Sequence, residues 1–425
     1  MKVAVIGAGT AGMCAAKHAL AQGYTVTVYD QARKVGGTWV YTDNVGSDEY
    51  GLDVHSSMYK GLHTNLPKEI MGYPDFPIPT QEKSYISAEE MLAFLDLYAE
   101  EFRLKEHIKF EHYVVRVRPV AETQWEVIVK DLPNDRIDTE IFDAIFVCNG
   151  HYNTPSIPTY PGRELFKGQQ IHSHDYRCPE PFKVNSFLKI KIYKNLLSKT
   201  WYSGMDLANQ ISKIAIRVTL SHHHKTAPLT KFPDNVDLKP DVKCLTENGV
   251  EFVDGSHQNY SVIFYCTGYK YTFPFLSVDC GISVDDNYVR PLYKHCININ
   301  RPTMALIGLP YYVCASQMSD LQVRFCLKFI TGQQQMPTKV KMIEDMEEDM
   351  RLRLEKGFKR RQAHMMGTDQ DKYYDDLSRT AQIDNLKPVM TKLHNESSQR
   401  FLDDLVNFRK DIFRIVDDET FVKLN

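Results

Sequence analysis

Val3-Ala4-Val5-Ile6-Gly7-Ala8-Gly9-Thr10-Ala11-Gly12 decides the fold. An apolar run short enough for one buried strand breaks into a GxGxxG turn, and a helical pattern opens at once. In such a turn the first glycine makes the bend and the second lets the backbone approach a pyrophosphate. The third lets the helix pack on the strand, while free N–H groups at the helix start face the phosphates. An acidic residue should follow about 20 positions on to meet a ribose hydroxyl. Asp30 stands there, closing a second apolar strand from Tyr24 to Tyr29. Strand, turn, helix, strand and acid together predict a dinucleotide-binding unit with Gly7, Gly9, Gly12 and Asp30 on the cofactor.

Working outward, Gly36-Gly37-Thr38-Trp39 follows the acid. A glycine pair that permits positive φ, placed there, reads as a cofactor-facing loop and favours FAD over NAD in this first site. Residues 59–79, rich in Pro, Gly and aromatics, exclude a long helix or central strand. A helix is predicted next, with Ser87 and Glu90 as a capping box and Met91, Leu92, Leu95 and Tyr98 on its apolar face. An antiparallel pair is predicted at 114–120 and 125–129. The buried strand Asp143-Ala144-Ile145-Phe146-Val147-Cys148-Asn149-Gly150 has a twin in Ser261-Val262-Ile263-Phe264-Tyr265-Cys266-Thr267-Gly268. This echo suggests two nucleotide-binding units, each closed by a strand whose glycine lets the backbone pass close to a neighbour. Beyond Pro337 the chain is helical, charged and then Tyr-rich, which reads as a solvated tail wrapping the first unit.

Composition narrows the class. With 425 residues, 43% hydrophobic and 25% charged, the chain is an ordinary globular protein of two or three domains. A net charge of -3 gives no reason to expect nucleic acid or an anionic membrane as partner. No apolar run reaches the roughly 18 residues of a membrane helix, and no signal-peptide pattern precedes the first strand, so a soluble, cytoplasmic protein without a transmembrane anchor is expected. The 9 cysteines include no CxxC pair. That argues against a zinc knuckle or a redox-active disulfide and for small buried apolar residues.

One further stretch carries a family resemblance. Phe166-Lys167-Gly168-Gln169-Gln170-Ile171-His172-Ser173-His174-Asp175-Tyr176 fills every fixed position of FxGxxxHxxxY, the signature of the flavin-containing monooxygenases. The chain also resembles that family in its glycine turn, in Gly36 to Trp39, in the pair Thr64-Asn65, in Pro74 to Pro77, in Cys266-Thr267-Gly268-Tyr269 and in Leu292 to His295. Baeyer-Villiger relatives share much of this pattern but favour Trp where this chain has Tyr176. Without the hydrophobic tail of the vertebrate enzymes, it looks like the shorter soluble insect forms, of the dimethylaniline or senecionine N-oxygenase type.

The resemblance implies an α/β fold of two dinucleotide-binding, Rossmann-like domains, the NADPH domain inserted into the FAD domain. The expected boundaries are 1–160 and 291–425 for FAD and 161–290 for NADPH. It implies FAD held by Gly7, Gly9, Gly12, Asp30, Gly37, Thr38, Trp39, Thr64 and Asn65, NADPH held by Ser203, Gly204, Ser221, His222 and Lys225, and Thr267 among the cofactor-binding residues. It further implies that NADPH reduces the flavin, that O2 adds as a 4a-hydroperoxide, and that an amine or sulfide takes one oxygen atom. The organic chemistry then belongs to the cofactor, so His172 and His174 are expected to be structural and Asn65 is the one catalytic candidate. An Asx-turn before Pro67 is the alternative for Asn65. The competing classes are an FAD-binding protein with impaired NADPH use and a Baeyer-Villiger enzyme. Oligomeric state and substrate stay open.

There is one departure. The family's second GxGxSG survives only at its end, in Ser203-Gly204, with Lys199 and Trp201 at the earlier glycine positions. The leading strand, within 184–198, does not alternate cleanly, so residues 184–202 are expected to be irregular. Its wealth of Lys, Asn, Ile and Leu matches translated AT-rich noncoding DNA, so a gene-model artefact and a genuine divergence both stand open. Downstream, His222 lies as far beyond Gly204 as Asp30 lies beyond Gly12. Ser221, His222, His223, His224 and Lys225 carry no acid to repel a 2′-phosphate, which favours NADP over NAD. Consecutive histidines on an extended chain alternate in direction, which argues against a metal cluster. The expected outcome is weak NADPH binding and slow flavin reduction. Replacing 184–202 with a regular apolar strand and a GxGxSG turn should speed reduction far more than glycine at 199 and 201 alone, as read by stopped-flow bleaching of the flavin.

Overall fold

The computed structural model of the chain describes residues 1–183, 187–192, 201–222 and 230–425. Strand β1 (Lys2–Ile6), helix α1 (Thr10–Ala21) and strand β2 (Thr25–Tyr29) form the opening unit. The two strands run parallel, with Ile6 opposite Tyr29, because the helix carries the chain back between them. Helix α2 (Ala88–Glu101) starts at the predicted capping box: Ser87 Oγ accepts from the Glu90 N–H while the Glu90 carboxylate accepts from the Ser87 N–H. Met91, Leu95 and Tyr98 are buried, whereas Leu92 is half-buried over Gly36.

Strand β3 (Ile108–Lys109) extends the sheet beyond β2. An antiparallel sheet follows, of β4 (His112–Pro119), β5 (Trp125–Asp131) and β6 (Arg136–Phe142). The third strand was not legible as one, because its Ile137 and Ile141 face solvent, 55% and 40% exposed, the reverse of an inward apolar face. Strand β7 (Ala144–Val147) returns to the first sheet on the other side of β1, again parallel.

The chain then builds a second parallel sheet. It contains β8 (Gln169–His172), β9 (Phe187–Ile192), β10 (Arg217–Ser221) after helix α3 (Trp201–Ile211), and β11 (Val236–Lys239). A small antiparallel sheet of β12 (Val242–Thr246), β13 (Gly249–Phe252) and β14 (His257–Asn259) precedes β15 (Val262–Cys266). The order is β11-β10-β9-β15-β8. Residues 187–192, inside the stretch expected to be irregular, are therefore a central strand, with Leu188 opposite both Val218 and Val262. Parallel partners on both sides supply the ladder that the sequence pattern alone does not reveal. The succession β9-α3-β10 repeats β1-α1-β2, and the twin strands β7 and β15 hold matching places beside β1 and β9. Gly150 and Gly268 follow the two strands with positive φ, 72° and 77°, but a Cβ at Gly150 would meet only the His55 ring at 3.6 Å and at Gly268 nothing within 4 Å, so the turn and not a close backbone approach favours glycine there.

After a hairpin of β16 (Ser283–Asp285) and β17 (Tyr288–Arg290), strands β18 (Leu292–Tyr293), β19 (Ile297–Asn298) and β20 (Met304–Leu306) rejoin the first sheet. β20 lies parallel to β7, so the second unit is an insertion into the first. Helix α4 (Ala315–Ile330) packs on α1, with Leu321, Phe325 and Cys326 wholly buried. Helix α5 (Lys339–Glu355) is the solvated helix expected, burying only Met342 completely.

The end of the chain differs from the expected tail around the first unit. Helix α6 (Gln370–Ala381) gives Tyr373, Tyr374 and Leu377 to the first core. Helix α7 (Pro388–Asp403) and the hairpin β21 (Phe413–Ile415) and β22 (Phe421–Lys423) give Leu393, Phe401 and Phe413 to the second core, beside Leu207 and Phe264. Apolar residues spaced among many charges hid this bridge. Among the described residues no helix is long and apolar enough to cross a membrane. Phe401→Ala should lower stability by about 3–5 kcal/mol through the cavity it leaves, read as a drop in the urea midpoint of the second unit. An unchanged midpoint would remove α7 from that core.

Candidate cofactor and oxygenation site

The three glycines of the turn differ in what surrounds them. Gly7 has φ of 102°, and a Cβ there would stand 2.6 Å from the Cys148 carbonyl oxygen. A Cβ on Gly12 would stand 1.8 Å from the Gly7 carbonyl oxygen. At Gly9 a Cβ meets nothing nearer than Gly37 Cα at 3.5 Å. Gly7 and Gly12 are thus required by the protein's own backbone, whereas Gly9 leaves open the space between the turn and the Gly36-Gly37 loop. Gly9 is also the N-cap of α1, with no side chain capping it and no acid in the first turn. The unmatched N–H groups and positive dipole end there suit a pyrophosphate.

Asp30 holds this turn. Its carboxylate accepts from the Ala8 N–H at 2.5 Å and from the Ala32 N–H at 2.7 Å. Burial raises its pKa, and the two N–H bonds pull the other way. Each oxygen keeps a second lone pair for a ribose hydroxyl. The Gly36 N–H donates to the Ala8 carbonyl, binding the two loops together. In the short helical turn Gly37–Trp39, the Thr38 carbonyl accepts from Ser56 Oγ at 3.0 Å, and Trp39 packs at the margin of the first core. Behind the twin strand, His151 donates from Nδ1 to the Gly308 carbonyl at 2.9 Å, which leaves the buried Nε2 as an acceptor without a partner. Burial lowers its pKa to about 4, so this acceptor stays unprotonated at neutral pH. Glycine cradle, open helix end, acid and orphaned acceptor fit a flavin dinucleotide.

The other predicted residues divide. Thr64 is buried with its hydroxyl accepting from the Ile86 N–H at 3.2 Å, so it builds the loop. Asn65 beside it is exposed and makes no hydrogen bond among the described residues, so the Asx-turn alternative has no bond to support it. Thr267 donates to the Ser156 carbonyl at 2.5 Å and Ser221 to the Pro240 carbonyl at 2.8 Å, both fixing backbone. His222 follows β10 as Asp30 follows β2, its N–H donating to the Lys239 carbonyl at 2.9 Å. Ser203 and Gly204 lie in the first turn of α3, which begins at Trp201. Lys199, His223, His224 and Lys225 lie outside the described residues.

The signature segment is a clasp. His174 Nε2 donates to the Val54 carbonyl at 2.9 Å, and the His174 N–H donates to His172 Nδ1 at 3.0 Å. Burial, and next the neighbouring His174, lowers the pKa of His172 to about 4. Both histidines are structural in this geometry. Sequence reasoning missed the adjacent Arg177, whose buried guanidinium donates to the carbonyls of Asn44, Ser56, His174 and Tyr176 at 2.7–3.1 Å. Its one available signal was its place next to Tyr176. His151 had only the twin-strand echo to mark it. Among the described residues, Cys14, His18 and Asp320 could converge on a metal ion, but Asp320 already binds His18 at 2.5 Å and Arg324 at 2.6 Å.

Two nucleotide-type sheets, one inserted in the other and the first ending in a cradle for a flavin dinucleotide, define a flavoprotein of the two-dinucleotide class. The family model for flavin-binding monooxygenase-like proteins matches residues 1–235 and 227–399, and the chain belongs to that family. It is 38% identical to flavin-containing monooxygenase FMO GS-OX4 of Arabidopsis thaliana, over 88% of this chain and 83% of the relative. It is 32% identical to senecionine N-oxygenase of Tyria jacobaeae, over 99% and 91%. Among solved structures it is similar to S-allyl-L-cysteine S-oxygenase from Allium sativum, with TM-score 0.88, 32% identity and coverage of 96% and 94%. Steric roles separate the glycines experimentally. Gly9→Val should fold yet lose FAD retention, whereas Gly12→Val should lose the fold itself, as read by near-UV circular dichroism beside flavin absorbance. A Gly9→Val protein with full yellow colour would place FAD elsewhere.

Proposed function

We propose that the chain is an FAD- and NADPH-dependent monooxygenase that transfers one oxygen atom of O2 to a soft nucleophilic nitrogen or sulfur of a small molecule. The glycine cradle closed by Asp30, in a chain of this family, carries the reading. Bound FAD supplies hydride acceptance and oxygen activation. The protein's own residues do the rest. Gly9 and the α1 N-terminus receive the pyrophosphate, Asp30 the ribose, Gly37 to Trp39 close over the dinucleotide, and His151 Nε2 accepts a hydrogen bond from it. His222 and the start of α3 face NADPH, with the domain boundaries near 160 and 290. Clasped by Arg177 and His174, the two units keep water from the space between them. The exposed amide of Asn65, able both to donate and to accept, holds the oxygen to be transferred. All nine cysteines are free of disulfides, which favours a reducing, cytoplasmic setting.

The N- and S-oxygenating relatives favour amine and sulfide over ketone substrates, and the open amide of Asn65 supports the positioning role. Asn65→Ala should still bind FAD and still be reduced by NADPH, yet release hydrogen peroxide in place of oxygenated product, with turnover to product falling about 100-fold. Product and peroxide are measured per NADPH consumed on a thioether and a tertiary amine. Coupling equal to that of the unaltered chain would remove Asn65 from the mechanism.

A further inference from the structure

We infer that Arg409, on the short turn between α7 and the terminal hairpin, is a positioning residue that sets the Asn65 loop against the second nucleotide unit. Its guanidinium reaches three acceptors on two separate parts of the chain. Nη1 pairs with Asp206 Oδ1 of α3 at 2.8 Å, Nε donates to the Thr64 carbonyl at 3.0 Å, and Nη2 donates to the His63 carbonyl at 3.3 Å. The other Asp206 oxygen accepts from Tyr59 Oη, and the Tyr59 ring lies 5.4 Å from that of Tyr176, the last residue of the signature. The cation also sits 4.7 Å from the Phe408 ring, which itself packs on Tyr85.

The loop is gripped from its far side as well. The Thr64 N–H donates to the Ile86 carbonyl and the Ala88 N–H to the Leu62 carbonyl. Residues 62–64 therefore run between the entrance of α2 and the Arg409 guanidinium, and Asn65 projects from the end of the held segment. Asp206 belongs to the helix whose start faces NADPH. One side chain thus fixes the spacing between that helix and the loop bearing Asn65. A lysine can keep the charge pair with Asp206 but has no planar fork to reach the loop carbonyls at the same time.

This inference rests on the oxygen-positioning role given to Asn65, and its test separates the two. In Arg409→Lys holoenzyme, amide hydrogen exchange across residues 61–66 should rise about tenfold while exchange in α3 and FAD affinity stay as they were. The ratio of product to NADPH consumed should fall several-fold, and Asn65→Ala combined with Arg409→Lys should be no more uncoupled than Asn65→Ala alone. Unchanged exchange across 61–66 overturns the strut. Faster exchange with full coupling, in a chain whose Asn65→Ala variant is uncoupled, overturns its positioning role. Full coupling in Asn65→Ala itself overturns the part given to Asn65 and leaves the exchange measurement to decide the strut. Arg409→Met, which loses the ion pair too, should in addition loosen α3.

Discussion

A backbone carbonyl occupies the place where a side chain at position 12 would go, and everything at the amino-terminal end of the molecule follows from that contact. With a Cβ at Gly12 only 1.8 Å from the Gly7 oxygen, the strand and the helix that follows it can meet at this angle only without a side chain. That close packing sets the α1 N-terminus at the carboxyl end of β1, where Asp30 then locks the turn by two backbone hydrogen bonds. Removing the acid would leave the Ala8 and Ala32 N–H groups to find water in a half-closed site. The cradle is thus held by the protein's own bonds, and Gly9 is the glycine of the turn at which a Cβ would meet no backbone closer than 3.5 Å.

The same logic is applied once more, with different materials, between the two units. Arg177 is a buried cation with no carboxylate in hydrogen-bond reach among the described residues, its guanidinium donating to the carbonyls of Asn44, Ser56, His174 and Tyr176. Burial depresses its pKa, yet a guanidinium ordinarily near the top of the scale stays charged at any physiological pH. Five donors in a rigid plane are matched by backbone dipoles that would otherwise be buried without partners. His174 repeats the device with one ring nitrogen on the Val54 carbonyl. The seam between the units is therefore held by polar bonds of fixed direction, which set an angle, as well as by apolar area, which does not.

Much of this was legible in the sequence because it depends on local rules. The GxGxxG spacing, the capping box of Ser87 and Glu90, and the echo between Phe146 and Phe264 each report a steric or hydrogen-bonding need within a few residues. What escaped has a nonlocal cause. Strand β9 is a strand because β10 and β15 flank it, and β6 is a strand through its pairing with β5, its isoleucines facing solvent. Helix α7 belongs to the second core through Leu393 and Phe401, spaced among charges that masked the pattern. Arg409 acts on Thr64 and Asp206 across more than two hundred positions, a distance at which no motif operates. Asn65 is singled out by the family resemblance alone, whereas its exposure depends on how residues 62–64 are held between α2 and Arg409.

The insertion of one sheet into the other also sets a timetable for biosynthesis. Strand β7 leaves the first sheet with one flank unpaired, and its partner β20 is not made until residues 148 to 303 have emerged. At a ribosomal pace of roughly 5–20 residues per second, that flank stays open for on the order of ten seconds or more. An unpaired apolar edge of Ala144, Ile145, Phe146 and Val147 is an invitation to pair with the wrong chain. The five parallel strands of the second unit all lie within that interval and can pair while β7 waits, but their core still lacks Leu393, Phe401 and Phe413. Both units are therefore completed from the carboxyl-terminal part of the chain, which brings β20 to the first sheet and α7 with the last hairpin to the second core.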